Sequence, residues 1–313
     1  MVSPHETHQI IDSSKLQEYM TCPRKYFYRY MLGWSGTGSN IHLIFGEAWH
    51  RALETVLNEG YNEKAVKLGM AKFLDYYRQY YTEDMDSQFR PKDPVSAYMA
   101  LMEYIKHYED DDFTVLYTEV HGTVPITENQ MLTMRIDAVC MDKEDKVFVL
   151  EHKSGSYRGG TWTNQWFLKT QVGAYIHALY CLFDPKNVYG LIINGTFFYK
   201  TKTEFERVRI RKHKRMMQIW LDNVSYYMKQ IKENTELMYE EQGQDNPIMK
   251  SFPMNTESCT KWNRTCMFHD FCSIWENPLK RCATVPQGFV ERWWNPMESD
   301  KKATKMEAGV IVK

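Results

Sequence analysis

The stretch MLTMRIDAVCMDKEDKVFVLEHKSG, residues 131–155, decides the fold. It reads as two β-strands, about 132–140 and 146–153, joined by the polar, poorly strand-forming segment Asp142-Lys143-Glu144-Asp145. Side chains alternate along a strand, so Glu151 and Lys153 share one face, roughly 6.5 Å apart along the backbone, with His152 on the other. With the two strands in register, Asp137 lies beside that pair. Two carboxylates and an ammonium on one sheet face are costly to bury unless each has a partner. They make chemical sense if Asp137 and Glu151 hold a divalent cation while Lys153 fixes a water or nearby phosphate oxygens. A solvent-facing row with a simple salt bridge fits the same spacing.

Downstream, Gly155 ends the strand and a Ser/Gly/Thr stretch runs to Thr163. A helix is expected from Asn164 to about Phe183, with Gln171 and Tyr175 four apart on one face. An amide and a phenol so placed suit positioning a phosphate or a water beside a metal; a surface Gln and a half-buried aromatic explain them equally well. VYGLIINGTFFY, 188–199, reads as an apolar strand, and 204–210 as an alternating one. The run Arg211-Lys212-His213-Lys214-Arg215 is expected to open a helix reaching 240, where cations oppose the helix dipole.

Upstream, residues 12–32 read as a capped helix and a second one starting at Pro23, in which Arg24, Lys25 and Arg29 interleave with Tyr26, Phe27, Tyr28 and Tyr30. Such a mixture suits a single nucleic-acid strand or a packed helix with snorkelling cations. A helix at 44–58 carries His50, a metal ligand or a structural histidine. Helices at 62–80 and 96–108 and the acidic boundary Glu109–Asp112 lead to strand 113–121, which carries Glu119 toward the acidic face before a turn at Pro125. The expected fold is α/β: a mixed sheet of about five strands flanked by helices 44–58 and 164–183.

With 39 basic and 40 acidic residues the net charge is −1, which excludes a uniformly basic nucleic-acid coat but not a local cleft. Aromatics make up 14% of the chain, enough that some should be exposed for stacking or protein contacts. No uncharged apolar run is long enough for a membrane span, and the N-terminus lacks the pattern of a signal peptide, so a reducing, cytoplasmic setting is expected.

Cys259, Cys266 and Cys272 lie in FPMNTESCTKWNRTCMFHDFCSIW, a segment with little periodicity. Three thiols there suggest a metal. The fourth ligand is His269 if the site is local and holds Zn2+, or Cys22 if it ties the chain's two ends around an iron–sulfur cluster; Cys282 is a third candidate.

These pieces together resemble a PD-(D/E)XK nuclease of the RecB-like exonuclease family, especially the branch of the AddB nuclease domain, the CRISPR-adaptation exonucleases and bacteriophage recombination exonucleases. The resemblance rests on LQEYMTCPRKYFYRY, FGEAWH, RIDAV, VLEHKSG, QVGAY and the closing cysteine segment, in the family's order from residue 16 to 272. It implies one restriction-endonuclease-like domain over 1–313, a helical insertion at about 59–110, and a closure formed by 16–32 with 250–282. It further implies Mg2+ or Mn2+ held by His50, Asp137, Glu151 and the carbonyl of His152, with Lys153, Gln171 and Tyr175 completing the catalytic set. A [4Fe-4S] cluster on Cys22, Cys259, Cys266 and Cys272 also follows from it, structural zinc being the alternative.

The implied activity is hydrolysis of DNA, single-stranded or with a free end, in recombination, repair or replication, in a bacterial cytoplasm or an infected host cell; Tyr and Trp side chains with Arg24, Lys25, Arg207, Arg209 and Arg211 are expected to grip the strand. Rival expectations are a DNA-holding scaffold with a nuclease-like fold and a structure-selective endonuclease. No Gly-x4-Gly-Lys-Ser/Thr loop occurs, so a helicase or recombination partner would have to supply any ATP-driven unwinding.

Overall fold

Asp142, at the centre of the expected hairpin, shows why the chain turns there. Its carboxylate accepts the backbone N–H groups of Glu144 and Lys146, both at 2.9 Å, and Asp145 takes the left-handed conformation (φ 58°) that closes the turn. The computed structural model describes residues 1–261, 264–298 and 304–312. Contacts divide the chain into two units: Met1–Gly38, Thr123–Met134 and Lys214–Ser299 form the first, and Ser39–Gly122, Arg135–His213 and Asp300–Lys313 the second.

In the first unit, helix α1 (Ser13–Thr21) is capped by Asp12, whose side chain accepts the Lys15 N–H at 2.8 Å. Cys22 is extended, and Pro23 then opens the short α2 (Pro23–Tyr26), where a missing N–H costs nothing. Strand β1 (Trp34–Gly36) pairs with β9 (Phe289–Glu291), and the two-residue strands β7 (Thr260–Lys261) and β8 (Arg264–Thr265) pair with each other. An aromatic cluster holds the cysteine segment: Tyr28 stacks on Phe268 at 5.0 Å, and Phe271 stacks on Trp275 at 4.5 Å within α9 and its C-cap (His269–Ile274, then Trp275). The cations expected to grip a strand are engaged here. Arg24 is buried and donates to the carbonyls of Phe252 (2.9 Å) and Met249 (3.3 Å), and Lys25 pairs with Glu18 at 2.5 Å. Arg24 is thus taken up in packing, and Lys25 in a partly exposed ion pair.

The second unit opens with helices α3 (Ile41–Glu59), α4 (Glu63–Tyr77), α5 (Asp86–Phe89) and α6 (Pro94–His107), of which α3, α4 and α6 start on Asn40, Asn62 and Asp93 caps. Their apolar faces meet around Phe45, Trp49, Phe73, Tyr77 and Tyr104, closed by Phe198, whose ring lies edge-on to Phe45 at 4.8 Å and Trp49 at 5.1 Å.

Strands β2 (Phe113–Thr127), β3 (Gln130–Asp142), β4 (Val147–Gly155), β5 (Val188–Phe198), β6 (Thr203–Ile210), β10 (Thr304–Glu307) and β11 (Val310–Val312) form one sheet in the order β11-β10-β2-β3-β4-β5-β6. It is mixed: β4 pairs antiparallel with β3 and parallel with β5, the crossover being α7 (Thr170–Leu182). A second core lies where Leu57 of α3 meets Ala138, Cys140, Phe148, Leu150 and Ile192.

The mixed, helix-flanked sheet is as expected, with seven strands in place of about five. The additional β10 runs parallel beside β2 and demands glycine at 122, where a Cβ would sit 1.7 Å from the Met306 carbonyl oxygen. Strand β2 runs on through Pro125, which lies past the residues paired with β10, so the expected turn falls later, between β2 and β3. Helix α7 begins at Thr170, residues 164–166 forming a 3-10 turn, and α8 (Lys214–Glu241) starts after Arg211, Lys212 and His213. Among the described residues no helix is long and apolar enough to cross a membrane.

Candidate active site

The β3–β4 register pairs Ala138 with Leu150, and one step further along each strand lie Asp137 and Glu151. Both acids are therefore on one face, as the alternation requires. Helix α3 packs on β4 and brings His50, whose Nδ1 lies 3.3 Å from Asp137 Oδ1. The other Asp137 oxygen accepts the backbone N–H of His152 at 2.7 Å. Lys153 donates to Glu151 Oε1 at 2.6 Å. Glu151 is only 2% exposed, and its second oxygen, Oε2, is buried without a hydrogen-bond partner. The structure thus gathers His50, Asp137, Glu151 and Lys153.

Burial and mutual charge set their protonation. Burial works against ionising Asp137, but the His50 charge and hydrogen bond, then His152 and Lys153, hold it well below the usual carboxylate range. Glu151 is pushed up to about 7, chiefly by burial and then by the Asp137 charge, against Lys153 and His50. Burial opposes a charged His50, yet Asp137 and then Glu151 outweigh it and raise it to about 9. Burial also resists the Lys153 charge, which Glu151 and Asp137 nevertheless stabilise. The two acids are pushed in opposite directions, a pattern associated with functional sites.

Glu119 takes φ 47°, uncommon for a residue with a side chain. Its carboxylate accepts the Arg135 Nε–H at 2.7 Å, while burial and then the Asp137 charge raise it to about 7. It reaches the acidic face electrostatically, through an arginine that also lies 3.6 Å from Glu47. On α7, Gln171 donates to the Tyr175 hydroxyl at 2.8 Å.

A network behind β4 went unread in the sequence. His152 Nδ1 accepts from the Asn194 amide at 2.9 Å, Asn194 also donates to the Tyr104 hydroxyl at 2.8 Å, and Arg207 Nε donates to Asn194 Oδ1 at 3.1 Å. Arg207 in turn makes a two-pronged pair with Asp111 (2.5 and 2.6 Å), which also accepts from Tyr61 at 2.8 Å. Arg207, expected to grip DNA, is thus a framework residue, and Asp111 is not part of a merely solvated boundary. The signal was available: an Asn inside the apolar VYGLIINGTFFY, opposite an Arg on the next strand, is a buried polar pair in waiting.

In the first unit the Cys259 thiol is pushed up by burial and then by the charges of Cys22 and Cys266. Cys272 is pushed up to about 11 by burial; Arg24 opposes this, and Cys22 and Cys266 add to it. Cys266 donates its N–H to the Cys259 carbonyl at 2.7 Å, and Asn255 donates to the Cys22 sulfur at 3.4 Å. His269 turns to Asp270 at 3.2 Å, and the Cys282 thiol donates to the Leu279 carbonyl at 3.5 Å. Among the described residues no three His, Cys, Asp or Glu side chains stand arranged to hold a metal, here or around Asp137. The expected cysteine-held cluster is therefore not found as a formed cage.

The donor set around Asp137 nonetheless fits a hard divalent cation: two buried carboxylates, an imidazole, and one carboxylate oxygen left without a partner.

No curated protein gives a significant match to the chain. A solved structure, "Crystal structure of SSO0001", is similar at 10% identity and a TM-score of 0.27, over 58% of this chain and 84% of that one. Residues 13–273 match the PD-(D/E)XK nuclease superfamily, a span that holds strands β2 to β6 of the mixed sheet, its flanking helices and the His50–Asp137–Glu151–Lys153 group, and leaves out β10 and β11. With a restriction-endonuclease-like α/β core and that match over most of its length, the chain belongs to the PD-(D/E)XK nuclease superfamily.

Proposed function

We propose that the chain is a divalent-metal-dependent DNA exonuclease acting on single strands or free ends. The observation that carries this reading is the convergence of His50, Asp137, Glu151 and Lys153 on one buried face, with Glu151 Oε2 unpartnered. His50, Asp137, Glu151 and the His152 carbonyl would hold Mg2+ or Mn2+. Such an ion supplies a water of lowered pKa and stabilises charge on the phosphate. Asp137 fixes the β4 backbone through the His152 N–H, which sets where Glu151 and Lys153 project. Lys153, released from Glu151 by an arriving phosphate, shares that phosphate's charge or orients the attacking water. Gln171 and Tyr175, already hydrogen-bonded to each other, would position the strand's backbone.

In the same reading Cys22, Cys259, Cys266 and Cys272 are the ligands of a [4Fe-4S] cluster that ties residues 16–32 to 250–282. The mutual influence of their thiols supports this, as does His269 being engaged by Asp270. Residues 59–110 are a helical insertion, and a helicase or recombination protein is the partner such an exonuclease would serve.

The test is degradation of end-labelled single-stranded DNA with Mg2+ or Mn2+, with EDTA, and with Lys153→Ala. Loss of activity by about 100-fold or more in the variant is expected. Cleavage of closed circular DNA would make it an endonuclease, and binding without cleavage would make it a scaffold.

A further inference from the structure

The loop between β4 and α7, residues 156–169, is anchored from inside. Trp162 lies so close on the backbone of Gly195 in β5 that a Cβ there would meet the indole at 2.6 Å, and its ring edges Phe197 at 4.9 Å and Trp166 at 5.6 Å. So held, Trp166 sits with its ring 5.9 Å from the Lys153 ammonium, and its indole N–H is buried without an acceptor. The next two residues face outward: Phe167 is 42% and Leu168 74% exposed.

Lys212 lies against this wall. It is 6% exposed, its ammonium is 5.9 Å from the Phe167 ring centroid, and no carboxylate pairs with it among the described residues. Burial alone lowers its pKa.

A buried cation without an anion, a buried donor without an acceptor and an exposed ring are each unfavourable in the free protein. One ligand class satisfies all three. A nucleotide brings a π-face for Phe167, a phosphate for Lys212 and acceptor oxygens for Trp166. We propose that Trp166, Phe167 and Lys212 form a subsite for an unpaired nucleotide flanking the phosphate at Lys153. The proposal rests on the nuclease reading of Lys153 and goes further by assigning the residues that take an unpaired base and its phosphate beside that site. In a duplex the bases stack on one another and offer Phe167 no free face.

The experiment is fluorescence anisotropy of a short labelled single-stranded DNA in EDTA, where no cleavage occurs, using intact and abasic oligonucleotides and a salt series. Phe167→Ala should weaken the intact strand about tenfold and leave the abasic one unchanged, with Phe167→Trp restoring affinity. Lys212→Met should lower the slope of log affinity against log salt by about 0.7 for both strands without lowering Tm, because it removes an unpaired buried charge. Equal effects of Phe167→Ala on both strands, an unchanged salt slope, or a reduced Tm in Lys212→Met would each overturn the subsite. Failure of the wild type to cleave with metal, alongside base-dependent binding, would remove the nuclease reading and leave the subsite standing.

Discussion

One carboxylate oxygen of Asp137 faces His50 at 3.3 Å and the other accepts the His152 backbone N–H at 2.7 Å. A single side chain thus couples helix α3 to the strand carrying Glu151 and Lys153. Asp137→Asn keeps an acceptor for the N–H and removes the charge. His50, raised to about 9 by that charge against its burial, should then fall to about 6.5 or below, read by an NMR titration of its ring protons. An unshifted His50 would mean that the ion pair does not govern it.

Divalent affinity should rise with pH. Binding a cation requires Glu151 to lose the proton it holds up to about 7 and His50 the one it holds up to about 9. Calorimetry with Mn2+ in buffers of different ionisation enthalpy should show proton release that shrinks above pH 9. In the metal-free protein the sign is opposite: the His50 contribution to stability is fully present below pH 6.5 and is lost as pH climbs through about 9. An affinity that is flat from pH 6 to 9 would count against His50 and Glu151 as ligands.

Arg207→Met should cost about 3 kcal/mol in urea unfolding, because it strands Asp111 and an Asn194 oxygen in a largely buried network. The salt dependence of DNA binding should be unchanged. A reduced salt slope with full stability would return Arg207 to the role of phosphate gripper.

Lys92 is 3% exposed, and its ammonium lies over the Phe45 and Phe198 rings at 4.8 and 5.0 Å. Burial lowers it to about 8, so folding disfavours its charged form and stability should rise as pH goes from about 8 to 10.5. Lys92→Met should raise stability at neutral pH by ~2 kcal/mol and flatten that rise, measured by Tm across pH.

On the proposed ligand set, anaerobically purified protein should carry iron and a visible charge-transfer band, both lost in Cys22→Ala and kept in Cys282→Ala. Zinc in place of iron, with His269→Ala the damaging change, would reverse the ligand assignment.

The hairpin, its acids and the α/β class were legible because period-2 alternation fixes which side chains share a face, whatever the tertiary context. Element ends were less so: α7 starts at Thr170 because Trp162 and Trp166 anchor the preceding loop, a long-range effect invisible to local propensity. Charged residues were misread for the same reason. Arg24 and Arg207 look like strand-gripping cations until the carbonyls of Phe252 and Met249, or the carboxylate of Asp111, are brought to them by folding. Strand β10 was missed because its four residues carry no alternation strong enough to announce a sheet partner for β2.

Trp162 and Gly195 are 33 positions apart in the chain yet constitute one packing unit. Transplanting the 156–169 segment into a scaffold with any side chain at the equivalent of 195 would pry the tryptophan away and leave the segment without its peg. Directed evolution of substrate preference should therefore vary Phe167 and Leu168 freely while freezing the Trp–Gly couple, because drift in either member alone would blur the wall on which new preferences are built.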